Sequence, residues 1–193
     1  TGLLDASSSV QDMYFSDYAV TNETVGIPSE AVKTLAENDA VESVSTTRLS
    51  VFMPGAGDIL PFETDLSVQS HETLQLVNVD EAQLQIYAPN LSAQDKQALK
   101  DGTGCLVKNP IAFSYGDTTV QQTDLTVGDT IQLGDRTLPV LGLIDTAITI
   151  NNDGFTNGVQ LIVNDEIYCS LLGNDSYSEV YPTLQDNADT DTF

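Results

Sequence analysis

The sequence predicts a mixed α+β fold, and three observations carry that expectation. The first and last thirds each read as a strand–helix–strand unit. The middle third is mainly short alternating strands with one helix. Close-spaced Gly-Asp pairs interrupt those strands where turns are needed. At 193 residues, 40% of them apolar, the chain is long enough to bury a core as one domain or two small ones.

In order, "MYFSDYAVTNET" (13–24) is rich in aromatic and branched residues and predicts a strand. Gly26 and Pro28 break it. "PSEAVKTLAEND" then predicts a helix, with Pro28 at its first position and Glu30 in the first turn, where the helix dipole favours an anion. Val32, Leu35 and Ala36 share one face. "AVESVSTTRLSVFMP" is strand-like at Val41, Val44, Leu49 and Val51, with an irregularity where the spacing slips. "PGAGDILP" (54–61) is a loop. "ETLQLVNVD" alternates as a strand, and "AQLQIYAP" reads as another short strand stopped by Pro89. "LSAQDKQALKDGTG" predicts a helix, with Ser92 and Asp95 at capping-box spacing and Gly102 as its stop. "GCLVKNPIAF" returns to extended chain.

"TTVQQTDLTVGDTIQLGDRTLPVLGLID" predicts three or four short strands around turns at Gly128–Asp129 and Gly134–Asp135. Leu125, Val127, Ile131, Leu133, Leu138, Val140 and Leu143 supply the apolar faces, and a small barrel or curled sheet would hide them. "INNDGFTNG" is a loop and "VQLIV" a buried strand. Asn164 caps the helix "DEIYCSLLG", with Asp165 and Glu166 in its first turn and Gly173 after its end. "YSEVYPTLQ" is a last strand and "DNADTDTF" a polar tail. No close repeat or low-complexity linker interrupts this order.

Six Lys and Arg face 29 Asp and Glu, a formal charge of −23. That charge repels phosphate, which argues against nucleic acid and against direct docking on anionic lipid. It leaves a solvated acidic surface, or attraction of a cationic ligand such as a basic peptide. The longest apolar runs, such as "LPVLGLI", fall far short of the ~18 residues a spanning helix needs. No signal-peptide pattern is present, and the opening "TGLLDASSSV" reads as an excised fragment of a longer chain.

No residue is assigned a catalytic, cofactor-binding or metal-binding role. Cys105 and Cys169 form no CxxC or Cys/His cluster, so zinc is not expected. Outside a cell they form either a disulfide or two buried thiols. His71, the only histidine, reads as a surface loop residue. No G-x-S-x-G elbow occurs, and "GAGDI" and "GTGC" lack the Lys and helix of a phosphate loop. Carboxylate pairs are inevitable among so many acids and point to no glycosidase. Asn151, Asp153, Asn187, Asp189 and Asp191 could offer oxygens to calcium but lack EF-hand spacing, so a solvated turn and tail are expected. Asn22, Asn90 and Asn174 begin N-x-[ST] patterns, read as chance. Tyr14, Phe15 and Tyr18 suit core packing, or else a patch for lipid or a partner.

Three segments in order resemble the extracytoplasmic, MacB-like core domains of FtsX-like ABC transporter permeases. They are "PSEAVKTLAENDAVESVS", "LSAQDKQALKDGTGCLVKNPIA" before "LTVGDTIQLGDRTLPVLGLID", and "VQLIVNDEIYCSLLG" before "YSEVYPTLQDNAD". Val127, Gly128, Asp129, Ile131 and Leu133 match the family's "vGD-x-i-x-l" strand; Leu138, Val140, Gly142 and Ile144 match the strand that follows it. "NNDGFTNG" has no counterpart in that pattern.

The resemblance implies an α+β fold of two lobes: residues 1–52 and 158–193 as a membrane-proximal α+β lobe, and 53–157 as an inserted β-rich lobe with one short helix. It implies a non-enzymatic extracellular domain on the outer side of the cell membrane, without a cofactor. ATP would be hydrolysed by a cytoplasmic ATPase subunit reached through membrane helices, and the full transporter could be a dimer. Motion would be transmitted to export of a lipid, peptide or drug, to peptide sensing, or to activation of a cell-wall hydrolase. The contact surface for an extracellular protein, peptide or lipid is expected at the tip of the β-rich lobe. The alternatives are a free secreted or surface-anchored ligand-binding or adhesion domain and, third, a secreted hydrolase with a base, a nucleophile and donors lining a cleft.

Overall fold

A computed structural model describes residues 20–21, 26–67, 73–110, 113–115, 118–120, 125–145 and 158–185. The chain divides into two compact units, 1–47 with 176–193, and 48–175. Both contain helix and strand, so the fold is α+β.

In the first unit the described residues nearest the two chain ends pair with each other. β1 (Val20–Thr21) runs antiparallel to β10 (Glu179–Leu184), with Val20 opposite Val180. β10 runs antiparallel to the first part of β2 (Val41–Phe52), with Val180 opposite Thr46 and a register shift at Thr183/Leu184. Ile27, Val41 and Val180 are its buried apolar side chains. Helix α1 (Ser29–Ala36) packs against β10 and buries no residue fully; Val32 and Leu35 are half-covered and Ala36 is exposed. Pro28 is the N-cap residue, with extended ψ, one position earlier than the sequence suggested.

The second unit is built on a mixed sheet in the order β2–β3–β9–β4–β8–β7. β3 (Thr73–Val79) and β9 (Gly158–Ile162) are parallel, β9 and β4 (Cys105–Lys108) antiparallel, β4 and β8 (Arg136–Leu143) parallel, and β8 and β7 (Thr130–Leu133) antiparallel. β5 (Phe113–Tyr115) and β6 (Thr118–Val120) form a separate hairpin. Alternate residues of the sheet feed two cores. Leu74, Leu76, Cys105, Val107, Leu138, Val140, Val159 and Leu161 share one with Ile167 and Tyr168 of α4 (Asp165–Leu172). Val77, Leu106, Ile144 and Ile162 share the other with Leu84 and Tyr87 of α2 (Glu81–Tyr87) and Leu99 of α3 (Ala93–Lys100). Covered on both faces, β9 is buried throughout, and β3 is buried at five successive positions where plain alternation was expected.

The helix ends follow local chemistry. Ser92 and Asn164 each accept, through the side chain, the N–H three residues on, that of Asp95 and of Ile167 respectively. The β7–β8 hairpin turns in two residues, Gly134–Asp135, with Gly134 at φ 63°, a conformation this tight turn demands.

Two expectations are corrected. "AQLQIYAP" is not a strand; Glu81–Tyr87 is helical. Asp80 caps it by accepting the Gln83 N–H at 3.0 Å, and Leu84 and Tyr87, three apart, turn to the core together. The division between units also differs from 1–52/158–193 and 53–157. Residues 158–175 belong to the second unit, because β9 pairs with both β3 and β4 and α4 supplies Ile167 to their core. No helix among the described residues is long and apolar enough to cross a membrane.

Candidate interaction surface

Side chains suited to chemistry are few. Both cysteines are free thiols. Cys105 lies fully inside the core of the second unit, and burial pushes its thiol up to about 12. A nucleophile needs the thiolate, which this setting suppresses. Cys169 on α4 is also raised, chiefly by burial. His71, Asn22, Tyr14, Phe15, Tyr18, Asn151, Asp153, Asn187, Asp189 and Asp191 lie outside the described residues. Among the described residues no group of three or more His, Cys, Asp or Glu is placed to hold a metal ion. Asn90 and Asn174 are exposed.

The Cys105 thiol makes a measurable prediction. Its folded value lies above the ordinary 9.0, so between about 9 and about 12 the unfolded chain loses a proton that the folded chain keeps. Its contribution is fully present below 9 and is lost as pH climbs through that window, at up to ~1.4 kcal/mol per pH unit. Tyr168, raised by burial and partly offset by its Ser50 hydrogen bond and by Arg48, adds a slope of the same sign. Urea melts from pH 8.5 to 11 are expected to show stability falling with pH, and Cys105→Ala to flatten the slope.

What the structure does present is an exposed apolar loop on a fixed base. β2 ends with Val51 and Met53 turned outward and Phe52 inward. Phe52 meets Phe62 edge-on, with ring centroids 5.9 Å apart, and Phe62 and Leu60 join the core. Between them the Met53 N–H donates to Asp58 Oδ2 at 2.7 Å, and the N–H groups of Ala56 and Asp58 donate back to the Met53 carbonyl at 3.0 and 3.2 Å. The loop is thus held at both ends and across its middle. It leaves Ile59 92% exposed, with Val51 and Met53 half-exposed at the end of β2 and just after it. A side chain of this size left in water forgoes about 1.5–3 kcal/mol of burial, which a partner could supply. The first charged residues that follow Met53 in sequence, Asp58, Glu63 and Asp65, are exposed acids, and no Lys or Arg occurs from residue 49 to 95.

The sequence reading took 54–61 as a plain loop and left the contact tip unplaced. A usable signal was there: Met53 and Ile59 are large apolar residues flanking Gly and Pro. Val127, beside the Gly128–Asp129 turn, is also exposed, and Asp129 Oδ2 fastens that turn by accepting the Thr126 N–H at 2.8 Å.

No family model matches this sequence, and no curated protein does. Among solved structures, those similar to it include extracytoplasmic domains of ABC-type transporters. One is the extracellular domain of the noncanonic ABC-type transporter YknZ from Gram-positive bacteria, with 11% identity, 88% of this chain and 79% of that chain covered, and a TM-score of 0.49. Another is the periplasmic region of MacB from Actinobacillus actinomycetemcomitans, with 11% identity, 90% and 70% covered, and a TM-score of 0.45.

Proposed function

We propose that this chain is a non-enzymatic extracytoplasmic domain of an ABC transporter permease. It would transmit ATP-driven motion of membrane helices to an event outside the cell. The observation that carries the reading is the pairing of β1 with β10, which brings residues 20 and 180 side by side. A domain set between two successive membrane helices must receive and return its chain in one place. The three segments that resemble FtsX-like permeases support it further: they fall on α1 with the first part of β2, on α3 and β4 before β7 and β8, and on β9 with α4 and β10.

In this reading a cytoplasmic ATPase is the energy source. The Val51, Met53 and Ile59 surface contacts the transported or sensed molecule or an extracellular partner protein. Export of a lipid, peptide or drug, peptide sensing and hydrolase activation are the events it could serve.

The test is the reading frame before Thr1 and after Phe193, with copurification of the full-length product. Four flanking apolar segments of ~20 residues and an associated ATPase are expected. A wall anchor, or no membrane segment at all, would overturn the proposal in favour of a free binding or adhesion domain. In the full-length protein, Ile59→Asp is expected to abolish the coupled activity while shifting domain stability by no more than about 0.5 kcal/mol, as for other exposed sites. Unchanged activity would remove this loop from the contact surface.

A further inference from the structure

β7 ends the order of the mixed sheet, so among the described residues one of its edges has no neighbouring strand. Its sequence, Thr130 to Leu133, holds no charge and no proline, the features that ordinarily make a sheet edge unwelcoming to another strand. In the β7–β8 ladder Leu133 faces Arg136 across the two-residue turn, and Gln132 faces Thr137 at the next position. Such pairs alternate between hydrogen-bonded and open, so the Gln132 N–H points away from β8, toward the outer edge. The segment 63–66 meets that edge. The Glu63 carbonyl accepts the Gly134 N–H at 2.7 Å, and Thr64 lies opposite Leu133 in a single antiparallel bridge. There the likeness to a strand stops, because the Gln132 N–H donates to a side chain, Asp65 Oδ1, at 2.8 Å. The Leu66 N–H then turns back to the Thr64 hydroxyl at 3.1 Å, and Leu66 packs on the core shared with α4.

We propose that residues 63–66 are a strap that keeps the β7 edge from pairing with the β7 edge of a second copy of this chain, with Asp65 as its latch. A second copy is the occupant this edge fits. Two identical strands placed antiparallel about a two-fold axis offer each other the same outward N–H and carbonyl groups, and an uncharged alternating run suits such pairing. A carboxylate suits the latch. It accepts and never donates, so it satisfies the Gln132 N–H and offers an incoming strand no donor in exchange. Asp65 and Glu63 are also exposed, so two copies brought edge to edge set like charges against each other. This inference rests on the sheet of the second unit alone and stands or falls apart from the transporter reading, which is decided by flanking sequence.

Two measurements on the whole 193-residue chain test it. The first is hydrogen exchange at the Gln132 amide in dilute solution. Asp65→Ala is expected to speed it about tenfold or more, the scale of a lost charge-assisted hydrogen bond, which shows a folded variant with its latch open. The second is sedimentation equilibrium in about 1 M NaCl, where repulsion between copies is screened. Asp65→Ala is expected to self-associate about tenfold or more tightly than wild type. Asp65→Asn keeps an acceptor oxygen at the latch and is expected to associate like wild type. The double variant Asp65→Ala with Gln132→Pro removes the outward donor itself and is expected to return to the wild-type value, since an edge strand tolerates proline where its N–H faces outward. An alanine variant whose Gln132 amide exchanges at the wild-type rate would overturn the proposal. So would one that exchanges faster there and associates no more tightly, an asparagine variant that matches alanine, or a double variant that associates as tightly as the single one.

Discussion

Gly158→Ala is expected to destabilise the second unit by about 3 kcal/mol or more, one of the largest effects available to a single methyl group. Gly158 opens β9 directly opposite Thr73 in the parallel ladder. A Cβ built there would fall inside the contact radii of both the Thr73 side-chain oxygen and the Thr73 carbonyl oxygen. A rotamer change could move the hydroxyl away, but the carbonyl is backbone and its strand is locked into the sheet. For a chain of this size the loss corresponds to a midpoint lowered by roughly 6–12 °C. Circular dichroism melts read it. An alanine variant melting with the wild type would show that β3 and β9 are not paired in this register. Thr73→Ala is not expected to rescue the variant, since it leaves the carbonyl in place.

Leu161→Ala is expected to cost about 2–5 kcal/mol. Leu161 is 0% exposed, sits opposite Leu76 in the β3–β9 ladder and belongs to the core under α4. Neighbours from several strands and a helix converge on it, so truncation leaves a cavity they cannot close. The matched control is Ile59→Ala, at a site 92% exposed, where a change within about 0.5 kcal/mol is expected. Urea melts of the two variants side by side separate a side chain that holds the fold from one that the fold displays. Equal losses at both sites would contradict the exposed loop.

The parts of this fold that were legible are those decided within a few residues. Ser92, Asn164 and the Gly134–Asp135 turn act on their own neighbours, and their elements stand where the pattern put them. Residues 81–87 show the limit of such reading. Leu84 and Ile86 alternate with Gln83 and Gln85, which imitates a strand; the deciding signal was Asp80, a capping residue just before the run. The place of β9 was not readable, because its partners β3 and β4 are remote in sequence and only burial on both faces hints at a central strand. Gln75 and Gln160 hid the pattern further. Both are buried in register, with Gln160 Nε2 donating to Gln75 Oε1 at 2.7 Å, so polar residues occupy core positions that alternation would assign to solvent. The exposed loop and the burial of Arg48 were both missed. The arginine could have been suspected as a lone cation in a strand of an acid-rich chain, but its partners at 78, 165 and 175 meet it only after folding.

The pairing of β3 with β9 has a further consequence during synthesis. The two strands are 85 positions apart at Gln75 and Gln160, and β9 is also the neighbour of β4. A nascent chain that has emerged only as far as residue 157 therefore carries two apolar strands with open backbone edges and nothing to fill the slot between them. Widely separated contacts of this kind slow folding and expose such edges to other chains. Completion is thus forced late: the sheet can close only when β9 arrives, and a product terminated before it is destined for aggregation or degradation.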